Sequence, residues 1–164
     1  MSSKRHSILP PVSSAGPKPP VHFSSSITIA DSALLSGTHL IDIHSESVIH
    51  PRAKLDSHLG RVSISRRCVV HERAHLGAAP AAGAAPPRSE GGEGAGEGAG
   101  GQVMAVTLGE YVVVEVGATV EGGETRIGEG TTVGVGARIG AGAVIGNVST
   151  FPARVACLHI LEHG

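Results

Sequence analysis

The chain has 164 residues, a formal net charge of −1, and an apolar content of 40%, which together describe one domain and give no electrostatic reason to expect nucleic acid or an anionic membrane as partner. Twenty-four glycines against an aromatic content of 2% exclude a conventional globular core built on large rings. No run of 18 apolar residues is present, so no helical membrane span is predicted.

The first 26 residues, "MSSKRHSILPPVSSAGPKPPVHFSSS", are basic and serine-rich, and the first acidic residue is Asp31. That composition hints at a mitochondrial presequence. Pro10, Pro11, Pro17, Pro19 and Pro20 would break the amphipathic helix such a signal needs, so residues 1–26 are expected to form a disordered tail.

From Ile27 the chain acquires a beat of six. Aliphatic residues recur at Ile29, Leu35 and Ile41, then at Ile43, Ile49 and Leu55, and after a three-residue slip at Ile64, Val70 and Leu76. Four residues after most of them comes a small or β-branched side chain: Ala33, Ser47, Ala53, Cys68 and Ala74. Such a hexapeptide period predicts one short strand and one corner per hexad, with three hexads closing a triangular coil stacked on the next at about 4.8 Å. The aliphatic residue and the small residue two before it point inward. A narrow prism of this kind has no room for rings, which accounts for Phe23, Tyr111 and Phe151 being the only Phe or Tyr residues, with no Trp.

Within this stretch, His71-Glu72-Arg73-Ala74-His75 matches H-E-x-x-H, in which two histidines one helical turn apart hold zinc beside a glutamate base. That chemistry needs a helix. The period of six instead puts His71 just past inward Val70 and His75 just before inward Leu76, with a corner between them, so both are expected to face outward on different faces and to ligate nothing.

Between Leu76 and Leu108 lies "AAPAAGAAPPRSEGGEGAGEGAGG", Ala78 to Gly101, whose composition buries too little apolar surface to offset its ordering entropy. It is expected to be a disordered loop, spanning 78–105, that leaves one corner of the prism. The same beat then resumes through Leu108, Val114, Val120, Ile127, Val133, Ile139 and Ile145, with Val112, Ala118, Thr131, Ala137 and Ala143 at the small positions. The glycines of "GEGTTVGVGARIGAGAVIG" suggest a phosphate-cradling loop, but that fingerprint occurs once, between a strand and a helix. Gly128, Gly134, Gly140 and Gly146 recur at the repeat period instead, with Gly130, Gly136 and Gly142 two further on, and both sets are expected to serve corners with positive φ. The repeat stops at Asn147, leaving residues 148–164 as an atypical tail. Cys68 and Cys157 show no zinc or disulfide spacing, which favours a reducing compartment.

The stretch "SVIHPRAKLDS" from Ser47 to Ser57, followed by "VSISRRCVVHERAHLG" and a long acidic, proline-containing insertion, resembles the dynactin subunit 6 family over roughly Ile27 to Asn147. The resemblance implies an all-β fold, a left-handed parallel β-helix over 27–147, with the hand taken from the family. It also implies a non-catalytic structural subunit of the dynactin pointed-end complex in the cytoplasm and cytoskeleton. Its partners would be a dynactin subunit 5-like β-helix and the other pointed-end subunits, and indirectly dynein, in support of microtubule transport and cargo attachment, with no cofactor and no catalytic or metal-binding residue.

This chain departs from the family at "LSGTHLIDI", Leu35 to Ile43, where His39 falls on an expected inward small position. It departs again after Asn147, where "VSTFPARVACLHILEHG" replaces a further coil and a long helix. The alternative is a hexapeptide-repeat enzyme, either a γ-carbonic anhydrase, which needs three converging histidines, or an acyltransferase, whose catalytic histidine projects from a loop. His39, His44, His50 and His58 are its unassigned candidates, and each is expected to be a corner residue.

Overall fold

A computed structural model describes residues 18–80, 106–153 and 156–157. The described residues form eighteen strands of two to four residues, arranged as three parallel sheets of six. Sheet 1 contains β1 (Val21–Phe23), β4 (Ile41–Ile43), β7 (Val62–Ile64), β10 (Val106–Leu108), β13 (Thr125–Ile127) and β16 (Val144–Ile145). Sheet 2 contains β2 (Thr28–Ile29), β5 (Val48–Ile49), β8 (Val69–Val70), β11 (Val113–Val114), β14 (Thr132–Val133) and β17 (Thr150–Phe151). Sheet 3 contains β3 (Leu34–Gly37), β6 (Lys54–Ser57), β9 (His75–Ala78), β12 (Thr119–Glu121), β15 (Arg138–Ile139) and β18 (Ala156–Cys157). Successive strands pass from one sheet to the next, and every third strand pairs in parallel with its predecessor. The fold is a left-handed parallel β-helix of about five turns.

Its core is the inward set read from the sequence. Ile41, Ile43, Ile49, Leu55, Ile64, Val70, Leu76, Leu108, Val114, Val120, Val133 and Ile139 are buried, each contributing about 1.5–3 kcal/mol of apolar transfer. The small positions Ser47, Ala53, Cys68, Ala74, Val112, Ala118, Thr131, Ala137 and Ala143 are buried as well. Where such a residue carries a hydroxyl, the next coil accepts its proton: Ser47 Oγ donates to the Ser65 carbonyl at 2.8 Å and Thr131 Oγ1 to Gly146 at 3.0 Å. That pairing makes a polar atom tolerable inside the prism.

Three expectations are corrected. The prism extends past both expected ends, since β1 lies inside the stretch assigned to the tail and pairs with β4, while β17 pairs with β14 beyond Asn147. Parallel stacking needs only a neighbouring coil, and Pro20 contributes a carbonyl to Ile41 N–H at 2.9 Å without needing an N–H of its own. His39 does not occupy the inward slot; it is half-buried at a corner, its Nδ1 2.8 Å from the Ser57 carbonyl. The two glycine sets also differ in cause. Gly130, Gly136 and Gly142 do have positive φ, but Gly128 and Gly134 do not. A side chain there would overlap the backbone of the next coil, at Gly146–Asn147 and Phe151–Ala153 respectively. The expected disorder of residues 1–17 and of 81–105 lies outside the described residues.

Candidate functional sites on the outer faces

Outward side chains one coil apart become neighbours, and three groups of histidines arise in this way. On sheet 1 the register places His22 beside Asp42 and Asp42 beside Ser63. His22 Nδ1 lies 2.9 Å from Asp42 Oδ1, His44 Nε2 lies 3.5 Å from Oδ2, and Arg61 Nη2 donates to Oδ2 at 3.1 Å. The Asp42 side chain is only 10% exposed. Burial pushes its carboxyl pKa up, but the hydrogen bond to His22, the charge of His44 and the hydrogen bond from Arg61 together outweigh this and hold it below the usual aspartate value.

On sheet 2, His50 and His71 stack with ring centroids 4.7 Å apart and planes inclined by 12°. Parallel rings direct their in-plane nitrogen lone pairs along parallel sheets of space, so the pair is not disposed to converge on one ion. On sheet 3, Asp56 Oδ1 accepts from the His58 backbone N–H at 2.9 Å and lies 2.5 Å from His58 Nδ1. Its Oδ2 stands 4.0 Å from His75 Nε2, a buried nitrogen without a hydrogen-bond partner. Burial lowers the His75 pKa, Asp56 works against that, and Lys54 adds to it.

The H-E-x-x-H pair is thereby split, with His71 against His50 on sheet 2 and His75 near Asp56 on sheet 3. Among the described residues no group of three or more His, Cys, Asp or Glu is arranged to hold a metal ion. Of the acyltransferase candidates, His44 joins Asp42, His58 joins Asp56, His50 joins His71, and His39 stands apart at its corner. His22 was missed because residues 1–26 were assigned to a tail. The signal that finds it is the coil length: His22 and Asp42 are 20 residues apart, and His50 and His71 are 21.

No family model and no curated protein matches this sequence. Among solved structures, the chain is similar to the acetyltransferase domain of PglB from Neisseria gonorrhoeae. It is 12% identical to that domain over 83% of this chain and 51% of that one, with a TM-score of 0.37. It is also similar to a Bacillus cereus protein assigned as an acetyltransferase, at 17% identity over 81% of this chain and 74% of that one, with a TM-score of 0.35. The acetyl coenzyme A complex of the Neisseria domain gives 15% identity, 86% and 51% coverage, and a TM-score of 0.30. The likeness is one of fold. This chain spans about half the length of the Neisseria domain. The expectation that the chain is no enzyme is corrected by these findings, since the similar structures are named as acetyltransferases.

Proposed function

We propose that this chain is an assembly subunit of the dynactin pointed-end type, a β-helix that docks sideways against a second β-helix subunit. The observation that carries this reading is the outer face of sheet 2. Its outward strand residues, Thr28, Val48, Val69, Val113, Thr132 and Thr150, include no charged side chain, whereas sheet 1 presents Asp42 and Arg126 and sheet 3 presents Lys54, Asp56 and Arg138. The corners flanking sheet 2 change character along the prism. Early coils carry ion pairs, Arg67 with Glu46 and Arg66 with Glu110 on one side and Arg52 with Glu72 on the other. Later coils expose Val148 (83%) on one side and Val116 (42%) and Val135 (48%) on the other. An uncharged strand face whose later corners expose Val116, Val135 and Val148 beside Glu115 and Glu129 suits a protein partner. The resemblance of "SVIHPRAKLDS" and of the insertion's position to dynactin subunit 6 supplies the partner's class.

Co-expression with a dynactin subunit 5 homologue tests the reading. A one-to-one complex that survives gel filtration is expected, and Val113→Lys with Val135→Glu should abolish it while leaving the subunit's own melting temperature nearly unchanged. A monodisperse homotrimer that ignores the homologue would discard the reading.

Acyl transfer is the second reading, and one observation favours it: a single buried carboxylate, Asp42, orients two outward imidazoles, His22 and His44. In that arrangement an imidazole takes the proton of an acceptor hydroxyl or amine as it attacks a thioester carbonyl, and the proton leaves with the departing thiol. Thiol release from an acyl-thioester donor, lost in both His22→Ala and His44→Ala, is the expected result. Release that is unchanged in the two variants would dismiss it.

A further inference from the structure

His75 and Asp56 stand just short of a hydrogen bond. Nε2 of His75 is buried and unpartnered, and Asp56 Oδ2 is 4.0 Å away, about 1 Å beyond bonding range. The other carboxylate oxygen is already engaged by the His58 backbone N–H and ring. We propose that Asp56 is a proton-operated latch: when His75 takes up a proton, Oδ2 closes onto Nε2–H, and one carboxylate bridges His58 and His75 across strands β6 and β9.

Geometry supplies the reasons. A buried ring nitrogen without a partner carries the full desolvation penalty of that group, so the neutral side chain gains little where it stands. Protonation places an N–H at the same water-excluded position, and the nearest anion able to compensate it is Asp56. Movement of Oδ2 need not break the contacts of Oδ1, because each oxygen serves a different histidine.

The surrounding charges leave Asp56 in that role. From β6 the ring faces Lys54 and Asp56, with His58 just beyond them. From β12 its register neighbour is the uncharged Thr119. Glu121, two residues further along β12, is engaged by Arg138 of β15 at 3.0 Å. On its own coil, Glu72 and Arg73 lie across a corner, Glu72 lying within 3.5 Å of Arg52. The latch ties β6 to β9 three residues before the described chain leaves the prism after Ala78, so acidification tightens that exit. The backbone is already close there, since a Cβ on Gly77 would overlap the Asp56 carbonyl.

Nuclear magnetic resonance of the full chain between pH 8 and pH 4.5 tests this. A slowly exchanging Nε2–H resonance of His75 should appear as that ring protonates. In Asp56→Asn, which keeps an oxygen for the His58 N–H, the resonance should be absent and the proton affinity of His75 should fall at least threefold. An unchanged His75 titration in that variant overturns the latch. So does a weakened titration with no slowly exchanging proton in the native chain, because charge acting through space would then be the whole effect. The native-chain resonance decides the matter even where the variant folds poorly.

Discussion

Leu108 lies directly on Ile64 in sheet 1, although they are 44 positions apart in sequence, more than twice the spacing of the neighbouring pair Ile43 and Ile64. The surplus falls between β9 and β10, and the ladder on either side of it keeps its register, with Val106 beside Val62 and Val120 beside Leu76. Comparable passages from sheet 3 to sheet 1 are short: three residues, 38–40, join β3 to β4, and three, 122–124, join β12 to β13.

Those short passages set the expectation for the insertion. Replacing residues 81–105 by a linker of a few Gly and Ser residues should leave the thermal midpoint within a few degrees of the parent, because loop-closure entropy changes by only about 0.6 kcal/mol per doubling of length. Differential scanning calorimetry checks this. A drop of tens of degrees would mean that the insertion packs on the prism.

The core was legible because the inward side chains repeat with the coil, and nothing else in the chain competes with that period. Cys68 and Thr131 were found at small inward positions by counting alone. The ends were less legible. Val21–Phe23 sits among prolines and serines that signal a tail, and only pairing with β4 makes it a strand. The surface groups demanded the coil length as well as the period. Asp42 meets His22 at a separation of 20 residues, Asp56 meets His75 at 19, and Glu121 meets Arg138 at 17. Coils differ in length, and Asp56 and Glu121 also sit two residues along their strands from Lys54 and Thr119, the register partners of His75 and Arg138. A reading of six alone cannot align them.

Two glycines with positive φ separate backbone strain from crowding. Gly77 (φ 80°) has no room for a Cβ beside Asp56, while Gly117 (φ 67°) has nothing within 4 Å. Gly117→Ala should cost about 1 kcal/mol, the left-handed penalty alone. Gly77→Ala should cost several times that, because β6 and β9 must separate. Urea unfolding of the two variants tests the contrast, and equal losses would show that crowding at Gly77 is relieved by a shift of the chain.

Cys68 should be inert in the folded protein. Its side chain is buried at an inward position, its thiol lies 3.0 Å from the Gly109 carbonyl, and burial pushes its pKa up to about 11. Since the thiolate is the reactive form, iodoacetamide at pH 8 should leave Cys68 unmodified and should label it fully after denaturation, as read by peptide mass spectrometry. Labelling of Cys68 at the rate of a free thiol in native protein would contradict its position in the core.

Asp42 predicts an acid limb of stability. Although burial acts to raise its pKa, its contacts with His22, His44 and Arg61 lower it below the ordinary aspartate value of 3.8, so the unfolded chain binds the proton more readily than the folded one. The contribution is then fully present above about pH 4 and is lost as the pH falls through the lower folded value. Its partners are substantially exposed, so screening keeps the contribution to about 1 kcal/mol. Asp42→Asn should lower the melting temperature by a few degrees at pH 7 and by progressively less at acid pH, as the parent loses the same interaction. Thermal melts across that range, followed by circular dichroism, test the sign directly. A variant that is equally destabilised at neutral and acid pH would show that Asp42 acts through its shape in the strand, and that its charge contributes nothing.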